Sequence, residues 1–171
     1  FATLAPASPD ALAEQVGATL ESLEAPRAHV LAHATAAPAA LALAAARPRA
    51  VASLILASPL LTADDAGPAR APLELSDFLG SATSSARACV DAELNRLRSR
   101  GPRPSADAYV TASAAESLLD RVRAPVLVTR GGRAEEVCTE AAAARLAASL
   151  GGSLATFEGS GPLPHVDERA R

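Results

Sequence analysis

The sequence contains no lysine, methionine or tryptophan, and only four of its 171 residues are aromatic. A core built from alanine, leucine and valine buries less apolar area per residue than a core rich in aromatic side chains. With 16 basic and 19 acidic residues the net charge is −3, so no basic surface favours a nucleic-acid partner. No apolar run is long enough to cross a bilayer, and no leader pattern opens the sequence. We therefore expect one cytoplasmic domain without nucleic-acid or membrane partners.

Signals for metal ions and cofactors are also missing. Cys89 and Cys138 are far apart and form no CxxC pair, so they are either two thiols or one disulfide. No two of the three histidines have metal-ligand spacing together with a carboxylate. The glycine pairs at 131–132 and 159–161 are too short for a dinucleotide-binding loop. We expect no metal and no cofactor.

The strongest pattern that is present lies in residues 29–59. It consists of an apolar run, a turn of small residues, an alanine-rich helical segment ending at Ala46, and a second apolar run over 51–57. A strand–helix–strand crossover of this kind makes the two strands parallel neighbours. Two more apolar runs, 125–130 and 153–158, predict further strands. The fold class is therefore predicted to be α/β, a parallel sheet flanked by helices.

Two helices have recognisable ends. Ser8 is predicted to cap a helix that ends near Pro26, and Thr139 is predicted to cap a second helix that closes at Gly151. The buried stripe of the first helix is predicted from the apolar residues that recur at helical spacing, which are Leu12, Val16, Leu20 and Leu23.

The turn after the first strand resembles the nucleophile elbow of the α/β-hydrolase superfamily, in which small residues flank a nucleophile between a strand and a helix. Ala32 and Ala36 are the flanking small residues, and His33 matches the histidine that precedes the nucleophile in this family. Arg47-Pro48 resembles the end of the family's helix. In this register the nucleophile position is Ala34.

The resemblance covers about residues 9–168 and implies three parts. Residues 1–61 correspond to the nucleophile-elbow half of the core, 62–121 to a helical lid insertion, and 122–171 to the C-terminal part of the core. A plain helical crossover is the alternative for the insertion. The family has four further strands before the first helix, and this sequence has no room for them. The first strand is therefore expected to be an open edge. Either a preceding segment covers it, or a second copy or a partner chain does, or the sequence is an excerpt of a longer protein.

The same resemblance implies that the nucleophile, the acid and the base stand at Ala34, Ala134 and Pro162. None of these residues can act, because a triad needs a base that accepts the nucleophile's proton and an acid that orients the base. The sequence therefore predicts no catalytic residues. Thr35 is the alternative nucleophile if the register shifts by one, although a β-branched residue is poorly suited to a positive φ.

Several polar residues are predicted to share the edge of the sheet where the parallel strands end, which is where ligands bind in open α/β sheets. Ser58 follows the second strand, Glu135 is a replacement for the missing acid, and His165 is a replacement for the base. His33 is expected to pack beneath the turn with a bonded ring nitrogen. The candidate ligand-binding residues are His33, Thr35, Ser58, Glu135 and His165.

Three functions fit these observations. The first is a catalytically degenerate α/β-hydrolase-like protein that binds a small apolar ligand or a partner protein. The second is an enzyme of a non-hydrolytic or unusual type that uses the lidded pocket. The third is a structural part of a larger α/β-hydrolase-like assembly.

Overall fold

The computed structural model describes residues 8–61, 115–135 and 137–164, together with Ala88 and Ala92. These last two residues are helical and exposed, and they lie in the predicted lid; the rest of 62–114, including Cys89, lies outside the described residues, as does His165. The elements in chain order are α1 (Pro9–Ser22), β1 (Ala28–His33), a 3-10 turn (Ala34–Ala36), α2 (Ala37–Ala46), β2 (Val51–Ala57), a 3-10 helix (Ala115–Arg121), β3 (Val126–Gly131), α3 (Glu140–Ser149) and β4 (Ser153–Phe157).

The four strands form one parallel sheet in the order β1-β2-β3-β4. One row of the register joins His33, Ala57, Thr129 and Ala155 across all four strands. All strands therefore end at the same edge, which we call the carboxyl rim. No strand precedes β1 within the described residues, so β1 and β4 are the two edges of the described sheet. The predicted parallel α/β sheet is confirmed.

The centre of the core is formed by β2, β3 and α2. Leu54, Leu56 and Val128 are completely buried in the sheet. Nine consecutive residues of α2, from 37 to 45, are buried, because α2 contacts α1, the 3-10 helix, β1 and β2. Alanine makes these close contacts possible because its side chain is the smallest after glycine. The division of the chain at 61 and 121 remains a prediction, since most of the insertion lies outside the described residues.

The predicted caps are present at both helices. The Ser8 hydroxyl accepts a hydrogen bond from the Ala11 amide at 3.2 Å, and the Thr139 hydroxyl accepts one from the Ala142 amide at the same distance. Gly151 follows α3 with φ at +60°, the left-handed conformation that ends many helices. In the described parts of the chain, no helix combines the length and apolar character needed to cross a membrane.

The predicted apolar stripe of α1 is confirmed only in part, because Leu12, Val16 and Leu20 are half-buried and not fully buried. Pro9, Ala13 and Gly17 are the buried residues of this helix, and Leu23, the last residue of the predicted stripe, is 69% exposed. The buried face is therefore centred one residue away from the predicted one. Small residues occupy it because α1 lies close against α2.

The guanidinium of Arg47, the residue that ends α2, lies close against Gly17 in this face. A Cβ at Gly17 would lie 2.5 Å from the guanidinium carbon of Arg47. The guanidinium also forms ion pairs with Glu14, at 3.1 Å, and with Glu21. This contact joins residues about 30 positions apart in the chain. The spacing of apolar residues within α1 therefore does not predict it.

Candidate functional site

The turn after β1 is sharp and strained. Ala34 directly follows the strand, has φ at +46° and is the first residue of the 3-10 turn that leads into α2. An L-residue in the left-handed region costs about 1–2 kcal/mol. The surrounding structure compensates in part, because the Ala34 carbonyl accepts a hydrogen bond from the Leu60 amide at 3.2 Å. The chain therefore makes a strained turn between a strand and a helix, and the side chain of the strained residue is a methyl group.

The neighbouring strand ends in the same unusual conformation. Ser58 directly follows β2, has φ at +45° and is completely buried. Its amide donates to the Thr129 carbonyl at 2.7 Å, and its hydroxyl donates to the Pro162 carbonyl at 2.9 Å. A buried hydroxyl without a partner would destabilise the fold, so this second bond fixes the side chain.

His33 donates to the same oxygen. Its Nε2 lies 3.0 Å from the Pro162 carbonyl oxygen. A carbonyl oxygen only accepts hydrogen bonds, so this contact places a proton on Nε2. At the position that the resemblance gives to the base, the structure therefore has a proline ring and a backbone carbonyl that is bound by both His33 and Ser58.

Pro162 belongs to a buried loop, residues 159–164, which we call the rim loop. Within it Ser160, Gly161, Pro162 and Pro164 are buried. The Ser160 carbonyl accepts a hydrogen bond from the Arg133 amide at 3.0 Å. The rim loop is therefore attached to the segment after β3 as well as to the ends of β1 and β2.

Ala134, the position that the resemblance gives to the acid, is buried in a tight turn between β3 and α3. Its amide donates to the Gly131 carbonyl at 3.1 Å, and its own carbonyl accepts from the amides of Val137 and Cys138 at 2.9 Å. The position provides a methyl group and backbone bonds, and no carboxylate.

The carboxylate of Glu135 is bound at the start of α3. It forms an ion pair with Arg130, and it accepts a hydrogen bond from the Glu140 amide at 3.3 Å. The Arg130 side chain is only 2% exposed, and it also lies 3.8 Å from the Glu140 carboxylate. The guanidinium Nε of Arg130 is buried and has no hydrogen-bond partner among the residues that the structure describes. The described contacts of Glu135 are thus those of a structural ion pair with a buried arginine.

Sequence reasoning missed Arg130. It stands at the end of an apolar run and is followed within six residues by two glutamates, Glu135 and Glu136. A basic residue that ends a buried strand just before acidic residues is the signal that could have identified this ion pair, because buried charges require partners.

The structure brings together some of the candidate residues. His33 and Ser58 meet at the Pro162 carbonyl, next to the Ala34 turn, in which Thr35 is partly buried. Glu135 is engaged with Arg130. Among the residues that the structure describes, no three histidine, cysteine, aspartate or glutamate side chains are grouped as metal ligands would be.

Two concave regions are formed by described residues. A cavity of about 230 Å³ lies between the segment after β2, the 3-10 helix and α3, and it is lined by Pro59, Leu61, Glu116, Leu119, Ala142, Arg145, Leu146 and Ser149. A wider open groove of about 670 Å³ lies at the opposite end of the sheet, where α1 and α2 end. The smaller cavity includes Pro59 and Leu61, which follow the carboxyl end of β2, and ligands in open α/β sheets bind beyond the carboxyl ends of the strands.

No protein-family profile matches this chain, and no curated protein sequence matches it. Solved structures do. The chain is similar to a meta-cleavage product hydrolase from Pseudomonas fluorescens IP01, with 20% identity and a TM-score of 0.65 over 95% of this chain and 67% of that one. It is also similar to a hydrolase from Pseudomonas aeruginosa PA01, with 22% identity and a TM-score of 0.65 over 96% of this chain and 69% of that one.

A third similar structure is an alpha/beta hydrolase enzyme from the metagenome of lagoon sediments at Mar Chica, Morocco. The identity is 14% and the TM-score 0.64, over 98% of this chain and 67% of that one. The chain has the α/β-hydrolase fold. It spans about two thirds of the length of these three hydrolases. At identities of 14–22%, the similarity to these enzymes is a similarity of fold. A shared fold does not by itself establish a shared activity.

Proposed function

We propose that this chain is a catalytically degenerate α/β-hydrolase-like protein that binds a small apolar ligand, with a partner protein as the second candidate. The observation that carries the proposal is Ala34, a residue in a strained left-handed turn whose side chain has no reactive atom. The two other positions expected to hold a triad, Ala134 and Pro162, have no titratable side chain either. Loss of a complete triad lowers kcat about a million-fold in a well-studied protease, or roughly 8 kcal/mol of barrier.

The polar groups nearest to the turn do not replace the triad. A serine nucleophile must give its proton to a nitrogen that accepts it. The Ser58 hydroxyl donates to a carbonyl oxygen, and His33 donates its Nε2 proton to the same oxygen. Since both groups are donors to one acceptor, Nε2 of His33 is not available to accept the proton of Ser58.

An apolar ligand is favoured by the cavity between the segment after β2, the 3-10 helix and α3, although none of the candidate polar residues that the structure describes lines it. Five of its eight lining residues are apolar, and they include Leu119 from the 3-10 helix and Leu146 from α3. Its volume of about 230 Å³ is below the range of roughly 300–1,000 Å³ that is usual for ligand pockets, so the ligand is expected to be small.

Ester hydrolysis tests the absence of catalysis. In the presence of this chain, we expect short p-nitrophenyl esters to hydrolyse no faster than they do spontaneously. We also expect that a fluorophosphonate does not label the chain. Ala34→Ser adds a hydroxyl at the turn, and it is expected to remain unlabelled because no base accompanies it. Thr35→Ala and Ser58→Ala are the matched controls for the hydroxyls already present. Turnover that disappears in either control would contradict catalytic degeneracy.

An assembly is the alternative that one observation favours. β1 is an edge of the described sheet, and its Leu31 side chain is 51% exposed. An open strand edge with an apolar side chain favours pairing with another chain. We take a second copy of this chain as the partner to be tested.

Native mass spectrometry separates the two candidates with one pair of variants. We expect a small molecule that co-purifies with the wild-type chain and is released on denaturation. Leu119→Arg places a charge in the cavity, so most of the bound mass should be lost, whereas Leu31→Arg should retain it. If the chain instead functions as an assembly, Leu31→Arg dissociates a dimer and Leu119→Arg leaves it intact. A ligand-free wild-type monomer would contradict both candidates.

A further inference from the structure

Two side chains at the ends of β1 and β2 donate hydrogen bonds to the same oxygen atom of the rim loop. The Pro162 carbonyl accepts from His33 at 3.0 Å and from Ser58 at 2.9 Å, so the two donor groups are close neighbours. We propose that residues 159–164 form a latch on the carboxyl rim, held closed by these two side chains and released as a unit.

Two of the six residues of the loop are prolines, which have no backbone donor. Pro162 and Pro164 have no amide hydrogen, so these two residues can be fixed only through their carbonyls or by packing. Both proline rings are completely buried. The hydrogen bonds from His33 and Ser58 therefore take the place of the backbone donors that a regular element would supply.

The hydrogen bond between the rim loop and the segment after β3 provides a reporter for latch opening. The Arg133 amide donates to the Ser160 carbonyl at 3.0 Å, and this acceptor belongs to the rim loop. When the loop leaves the rim, the Arg133 amide loses its acceptor and becomes open to hydrogen exchange. By contrast, the Leu54 amide donates to the Pro125 carbonyl at 2.9 Å, outside the loop, and exchanges only when the sheet itself opens.

Opening of the latch frees two hydrogen-bond donors at the carboxyl rim. In the closed state the hydroxyl of Ser58 and Nε2 of His33 are both occupied by the chain's own carbonyl. In the open state these two donors, next to the Ala34 turn, become available to an oxygen atom of another molecule. The latch therefore controls whether the polar part of the rim can bind anything.

Residue-resolved hydrogen exchange by NMR tests this proposal on the full chain. In Ser58→Ala and in His33→Phe, each of which removes one donor, the Arg133 amide is expected to exchange roughly two- to tenfold faster, while the Leu54 amide is unchanged. The double variant leaves the buried Pro162 carbonyl without either donor, so its effect should exceed the product of the single effects. His33→Gln, whose side-chain amide can still donate, should restore much of the protection.

Two results would overturn the latch. One is an unchanged exchange rate of Arg133 in the variants. The other is an equal acceleration of Arg133 and Leu54, which would mean that the bonds stabilise the whole fold and not the loop. If the double variant does not fold, the two single variants decide by the same comparison.

Discussion

Replacing Gly131 by alanine is expected to destabilise the fold by more than about 3 kcal/mol, which places it among the most damaging single substitutions. A Cβ at this position would overlap the carbonyl oxygens of Gly161 and Ser160. Both atoms belong to the backbone of the buried rim loop, so no flexible side chain can move aside. Either β3 or the loop has to shift, and the hydrogen bond from Arg133 to Ser160 would be lost with it.

Gly151→Ala is the matched control for this substitution. Gly151 has φ at +60°, but a Cβ there has no other atom within 4 Å. Its cost is therefore limited to the left-handed conformation, about 1–2 kcal/mol. Urea unfolding followed by circular dichroism gives both free energies. Equal losses in the two variants would show that the rim loop adjusts to the extra methyl group and that its contact with β3 is loose.

Leu54→Ala is expected to lower the free energy of unfolding by about 2–5 kcal/mol, through lost burial and the cavity left behind. Leu54 is completely buried in β2, where it pairs with Val30 of β1 on one side and Val126 of β3 on the other. The core has few aromatic side chains that could move into the space, because the whole chain contains only four.

Leu31→Ala, the same substitution on the neighbouring strand, is the control. Because the Leu31 side chain is 51% exposed, it loses little burial, and we expect a cost below about 1 kcal/mol. The midpoints of chemical unfolding compare the two variants directly. A similar loss for both would mean that Leu31 is covered in solution, as expected if another chain pairs with β1.

The sheet and the helix ends were predictable because their signals are local. The four apolar runs are bounded by turn residues, and the predicted strands agree with the observed ones to within one residue at each end. Ser8 and Thr139 were predictable as caps because a hydroxyl at that point bonds an amide only three residues away. The order of the elements, together with the small residues around Ala34, was enough to predict the α/β-hydrolase fold.

Contacts between distant segments were not predictable in the same way. Arg47 contacts Gly17 and forms ion pairs with two glutamates of α1, and helical spacing within α1 cannot reveal these contacts. The burial of Arg130 depends on an ion pair across the turn between β3 and α3. The sequence shows that Pro162 has no titratable side chain. It does not predict that the Pro162 carbonyl accepts hydrogen bonds from His33 and Ser58, because every residue type has a backbone carbonyl.

Two strand ends at the carboxyl rim are followed by residues with strained backbone conformations. In the described residues, Ala34 and Ser58 both keep left-handed backbones, although neither is glycine. Conformations of this kind persist only where neighbouring contacts enforce them. The bond from Leu60 to the Ala34 carbonyl and the bond from Ser58 to Thr129 supply such contacts here.

The burial of α2 limits how far the sequence of this helix can change during evolution. Nine of its ten residues are buried, and seven of the ten are alanines, whose side chains are single methyl groups. Sequence drift is tolerated mainly where a larger side chain can extend into water. This segment has almost no such position, so its alanines are expected to persist over evolutionary time while the solvent-facing helices accumulate substitutions.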